Sequence, residues 1–160
     1  MKRILSTLFT AGLVSAPLAA AHAASFVRAD GTVFDSDVGA VCGALHTDVL
    51  FEPGERSVDL YDESVLEYLA QCLSTGELRG ARVAVIGYGG DGMTMAAGDA
   101  LAQDRVQSVI AYLVQHGVSP WQLATWSYAT GWPGDSELSP DRVQFRILQD
   151  QAALDASGTF

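Results

Sequence analysis

Two rhythms of apolar residues organise the chain. Val65, Leu66, Leu69, Cys72 and Leu73 recur at three- and four-residue steps and predict a helix over 60–73. Asp59 is its N-cap, with Asp62 at the reciprocal position, and Gly76 and Gly80 mark its exit. Leu101, Val106, Val109, Ile110 and Leu113 predict a second helix over 98–116, closed by Gly117 and with His116 at the negative end of its dipole. Between them Arg82 to Gly87 is a Val- and Ile-rich run, the mark of a strand buried on both faces. It stops in Gly87-Tyr88-Gly89-Gly90-Asp91-Gly92, which cannot hold regular structure. Residues 122–128 read as a strand, and Val143 to Ile147 alternates as another with one wet face. A turn-rich loop over 130–141 joins the two.

Upstream, Val49-Leu50-Phe51 is a short strand ended by Pro53-Gly54. Asp30-Gly31 between two apolar runs predicts a hairpin over 26–34. Residues 36–46 read as a short helix with Val38, Val41 and Leu45 inward. The order is β-α-β-α-β-β. Two helices on one face of a small mixed sheet is the natural two-layer packing, α/β or α+β by label. The core is expected to bury Val83, Val85, Ile86, Val109, Ile110 and Leu113.

The first residues change the picture of the whole chain. Lys2 and Arg3 precede an uncharged run from Ile4 to Ala20, and Ala21-His22-Ala23 follows as a small-x-small cleavage site. That layout is a secretory signal peptide, cleaved after Ala23, rather than a membrane anchor, for which the run is short and too rich in Ala, Ser and Thr. No cysteine lies near the cleavage site, which excludes a lipoprotein anchor. The division is thus 1–23 signal peptide, 24–47 N-terminal extension, 48–150 main domain and 151–160 flexible tail. Export implies an oxidising compartment, the periplasm, where Cys42 and Cys72 can form a disulfide. Such a bridge would contribute about 3 kcal/mol by restricting the unfolded chain. The alternative is two buried free thiols.

Charge narrows the partners. The chain carries 9 Lys+Arg against 19 Asp+Glu, a net charge of −10. Removal of Lys2 and Arg3 leaves 7 arginines against 19 acids, a net charge of −12. Nucleic acid is excluded for want of a basic face, and strong lipid-headgroup binding likewise. Two cysteines and three histidines leave little for a metal site, and no cofactor motif is present. Gly87 to Gly92 lacks the Lys-Ser/Thr of a phosphate loop. His46, Asp48 and Ser57 form no nucleophile pattern, so a hydrolase is not expected.

From Val49 to Leu148 the chain resembles the OmpA-like domain, the peptidoglycan-binding module of Gram-negative envelopes. The resemblance rests on Val49-Leu50-Phe51, the glycine-rich turn, Leu101-Ala-Gln-Asp-Arg105-Val, the stretch Ala111 to Leu123, Thr125-Trp-Ser-Tyr128 and Asp141-Arg142-Val143. It implies the OmpA-like two-layer sandwich, no enzymatic activity, and noncovalent binding of a peptidoglycan stem peptide or of envelope proteins. In that family an aspartate in the turn takes the ligand's ammonium and an arginine on the second helix takes its carboxylate. Arginine suits a carboxylate because it donates two parallel hydrogen bonds.

Arg105 matches the family arginine, and Gly90 stands in the aspartate's place with Asp91 one residue later. Gly98 and Asp99 replace the family's Asn and Leu, and Pro140-Asp141-Arg142 stands where Asn-Arg-Arg is usual. The resemblance therefore assigns a ligand site to Arg105, Asp91, Tyr88 and Gly90. The blander readings are a solvated helix arginine paired with Asp104 or Asp99, and an ordinary turn aspartate. Trp132 is the expected exposed aromatic contact, with Trp121 and Trp126 as core or rim. The alternative function is a scaffold that has lost the wall ligand and binds protein through its acidic surface or the Trp132 loop.

Overall fold

The computed structural model describes residues 26–27, 33–44, 47–90, 92–130 and 141–149. Its elements are β1 (Phe26–Val27), β2 (Val33–Asp37), α1 (Val38–Cys42), β3 (Val49–Leu50), α2 (Leu60–Ser74), β4 (Val83–Tyr88), α3 (Met95–Gln115), β5 (Leu123–Tyr128) and β6 (Arg142–Gln149). They form one mixed sheet in the order β1-β2-β6-β4-β5, with β3 also on β6. β4 pairs parallel with β5 and antiparallel with β6. This is the α/β sandwich that the periodicity predicts.

The front face of the sheet carries the helices. Val83, Val85, Val143 and Phe145 are fully buried there against Leu66, Leu69, Leu73, Val109 and Leu113. Period-two alternation sends Ala84, Ile86 and Tyr88 to the opposite face, where they pack with Trp126, Tyr128 and Leu148. Ile86 is therefore buried, but on the face away from the helices. Ile110 is only partly buried, packed at the margin of the front core.

Close approach of α3 to the sheet depends on small residues. A Cβ at Gly87 would collide with the Ala102 carbonyl, and one at Gly98 with the Ala129 carbonyl. Gly98 therefore lies inside α3 as a packing residue and does not start it. The helix starts at Met95, where Thr94 accepts a 3.3 Å hydrogen bond from the Ala97 N–H. The strand expected to have a wet face also departs from its pattern. Arg142 and Gln144 are buried, at 1% and 6% exposure, beneath the tyrosine layer of the second face.

The segment before residue 48 belongs to the same sheet. β1 and β2 pair antiparallel, Phe26 opposite Phe34, and β2 continues onto β6. α1 is shorter than the sequence predicts; Val38 is buried, whereas Val41 is exposed. Cys42 at its end is joined to Cys72 of α2 by a disulfide. Residues 1–23 with the expected signal peptide, the expected hairpin turn at Asp30-Gly31, Leu45, His46, Asp91, Trp132 and residues 151–160 lie outside the described residues.

Candidate functional site

The site expected between the glycine-rich turn and α3 lies at the C-terminal end of β4. Arg105 projects from α3 into it and is completely buried. Its Nε donates to the Glu55 carbonyl at 2.8 Å, and Nη1 to the Tyr88 carbonyl at 2.8 Å. Nη2 donates to the Glu52 carbonyl at 3.2 Å and to Asp141 Oδ1 at 2.8 Å. The guanidinium carbon lies 5.0 Å from the Phe51 ring centroid. Neither Asp99 nor Asp104 pairs with it. Asp99 accepts from Gln103 and Ser127, and Asp104 pairs with Arg56 at 2.8 Å.

Local sequence explains each partner. Glu52-Pro53-Gly54-Glu55 is a turn closed by the Glu55 N–H on the Glu52 carbonyl, with Gly54 at φ +81°. Proline followed by a positive-φ glycine is the signature of a type II turn. The turn aims two carbonyls at Arg105. Asp141 is anchored by its own carbonyl, which accepts from the Phe51 N–H at 3.0 Å. Its side chain is 15% exposed, while that of Arg105 is 0% exposed.

Gly90 completes the arrangement. Its φ is +90°, which favours glycine, and a Cβ there would collide with the Asp141 carboxylate. The volume in front of Gly90 is filled by the Asp141 side chain, from another element. Residue 141, where the resemblance leads one to expect arginine, is Asp141 in this chain. A side chain at residue 90 would therefore compete with the Asp141 carboxylate for one volume.

Tyr88 is 2% exposed and works from beneath the site. Its carbonyl holds Arg105, its ring stacks on Tyr128 at 5.7 Å, and Arg142 lies over it at 4.3 Å. Arg142 also pairs with Asp48 at 3.6 Å. The structure therefore brings Arg105, Tyr88 and Gly90 together, while Asp91 lies outside the described residues. Asp141 is the participant that the sequence reading did not assign. Its signal was present in Pro140-Asp141-Arg142, where an acid replaces a base. Among the described residues no group of three His, Cys, Asp or Glu could hold a metal ion.

The sequence model of the OmpA family matches residues 50–146, more than half of the chain. Solved structures share the fold. The peptidoglycan-associated lipoprotein of Burkholderia pseudomallei aligns at 22% identity and TM-score 0.54, over 64% of this chain and 89% of that one. The periplasmic domain of Helicobacter pylori MotB aligns at 19% identity and TM-score 0.54, over 83% and 92%. The OmpA-like domain of FopA1 from Francisella tularensis aligns at 18% identity and TM-score 0.52, over 79% and 81%. Comparison with curated protein sequences gives no match.

Proposed function

The chain belongs to the OmpA family, and we propose that within it this protein is a noncatalytic, exported interaction module whose stem-peptide site is closed by its own acid. One observation carries the reading. Arg105 has no exposed surface, and four of its five N–H donors are engaged, by three backbone carbonyls and Asp141. Asp141 supplies the carboxylate that a ligand would otherwise bring. A ligand carboxylate would have to displace an intramolecular partner at 2.8 Å, which needs no binding entropy to hold its place. The partner class that remains is protein of the cell envelope. The layout of residues 1–23 supports export to the periplasm with cleavage after Ala23 and no lipid anchor. No helix among the described residues is long and apolar enough to cross a membrane.

A second reading keeps peptidoglycan as the ligand. It is favoured by Asp141, which is 15% exposed and leaves an acid beside the family arginine. Asp141 would then take the ligand ammonium in the role that the sequence assigns to Asp91. Sedimentation with purified sacculi separates the two. A closed site leaves the wild-type protein in the supernatant, under conditions that retain a binding-competent OmpA-like domain. Retention of wild type that weakens in Arg105→Lys and in Asp141→Asn would overturn the closed-site reading in favour of the second. Arg105→Lys keeps the charge but loses the planar fork.

A further inference from the structure

From the open side of β5, we infer that an extended, basic segment of a partner protein binds by adding a strand to this edge. The inference rests on the interaction-module reading and names its surface. β5 ends the sheet order, and no described strand pairs with its outer side. The Tyr128 carbonyl accepts from the Gly89 N–H at 2.9 Å and so points toward β4. Backbone groups alternate sides along a strand. Trp126 and Ala124 therefore also point inward, and the N–H and C=O groups of Thr125 and Ser127 point outward.

Within its own sequence β5 has none of the residues that usually blunt an edge. Leu-Ala-Thr-Trp-Ser-Tyr contains no lysine and no proline, and all six of its residues pair in unbroken register with β4. Its residues are half-buried or exposed, whereas every residue of β4 is buried.

Beside the edge runs a groove of about 340 Å³ between β5 and α3, lined by Gln103, Asp104, Gln107, Thr125 and Ser127 among others. The amides and hydroxyls suit the flanking polar groups of a peptide, in the manner of strand addition. The lining contains an acid and no base, and the whole chain carries −10. Arg56 reaches Asp104 from outside, but that pair is solvent-exposed and exchanges readily. A second copy of this acidic chain is thus disfavoured and a basic strand favoured. Trp121, 61% exposed and two residues before β5, provides an aromatic anchor of the kind enriched at protein interfaces.

The test uses the full chain and a short peptide of alternating lysine and valine. Amide hydrogen exchange at Thr125 and Ser127 should slow by at least about tenfold in its presence. The same peptide N-methylated at alternate residues keeps its charge but cannot pair, and should give no protection. Thr125→Pro removes one outward N–H without touching a bond to β4, and should weaken binding at least about tenfold. If that variant does not fold, Thr125→Lys should weaken binding instead, by repelling the peptide. Three results would overturn the proposal. One is no protection by the peptide. Another is equal protection by the N-methylated peptide, which would mean charge adhesion alone. The third is concentration-dependent protection of the same amides without peptide, which would mean self-pairing. Sacculus binding through Arg105 would defeat the closed-site reading and leave these edge measurements standing.

Discussion

The Arg105 corner and the β5 edge lie one strand apart and treat their polar groups in opposite ways. At the corner a charged side chain is removed from water and answered by carbonyls and a carboxylate from three separate segments. Along β5 the backbone groups of Thr125 and Ser127 face outward, with no described strand to pair them. The first arrangement costs desolvation and holds only while every partner is present. The second costs nothing, because water satisfies the groups until a partner does. The proposed function thus assigns the corner a structural role, and the proposed strand addition assigns recognition to the edge.

The largest expected effect breaks the corner. Arg105→Ala would take the guanidinium donors away from the Asp141 carboxylate and from three carbonyls, of which that of Glu52 keeps the Glu55 N–H. Losing one member of a buried ion pair typically costs about 3–5 kcal/mol. Urea denaturation of the variant should show a midpoint shift of that size. A loss below about 1 kcal/mol would mean that water reaches the corner and that the site is open.

Reduction of the Cys42–Cys72 disulfide comes next. The bridge spans 30 positions, and its loss should cost about 3 kcal/mol through the unfolded chain. This test sharpens the comparison because neither cysteine belongs to the Arg105 corner or to β5. Amide exchange at Thr125 and Ser127 should remain fast in either redox state, while global protection falls. Two alkylatable thiols in the native, oxidised protein would contradict the bridge.

Restoring the family acid tests the shared volume directly. Gly90→Asp forces a left-handed backbone on a non-glycine residue and sets two carboxylates together, at a cost of about 2–3 kcal/mol. The double variant Gly90→Asp, Asp141→Arg returns both positions to the family pattern. It should lose less than the sum of the single changes, because the sites are in contact. It is also the variant expected to sediment with sacculi. Additive losses would show that residues 90 and 141 do not compete for one space.

Much of this was legible in the chain itself. The helices followed from three- and four-residue apolar steps, and β4 from its run of branched residues. What escaped detection has a common physical cause. Arg105 is held 36 residues from Asp141 in sequence and by the carbonyls of Glu52 and Glu55, and a carbonyl leaves no trace in residue identity. Gln122 is similar: buried at 4% exposure, its amide donates to the carbonyls of Leu73, Leu78 and Ala81. The apolar pattern starts the second helix at Gly98. That glycine belongs inside α3 because the Ala129 carbonyl leaves no room for a Cβ. Trp121, read as core or rim, is largely exposed because the turn Pro120–Gln122 carries it off the sheet.

A small change at the edge completes the contrast. Thr125→Lys places a charge on an exposed strand residue and should alter stability by no more than about 0.5 kcal/mol. Equilibrium denaturation of the variant checks it. A loss approaching that of Arg105→Ala would mean that β5 is covered in the folded protein.

A second small effect, set by pH, concerns an acid away from both regions, in α2. Asp62, in the first turn of α2, has its pKa raised to about 6 from an ordinary 3.8. Desolvation by burial is the main cause, followed by the negative charge of Asp59. The folded state thus prefers the protonated carboxyl. Its contribution to stability is present in full below about pH 3.8 and is lost as the pH rises through about 6. Asp62→Asn should therefore stabilise the protein at pH 7.5 and leave it nearly unchanged at pH 3.5. The group is partly solvated, so the gain should stay under about 1 kcal/mol. Thermal melts at the two pH values decide the matter. An equal gain at both would mean a packing effect rather than ionisation. A loss at pH 7.5 would mean that attraction of the carboxylate to the helix N-terminus outweighs its burial.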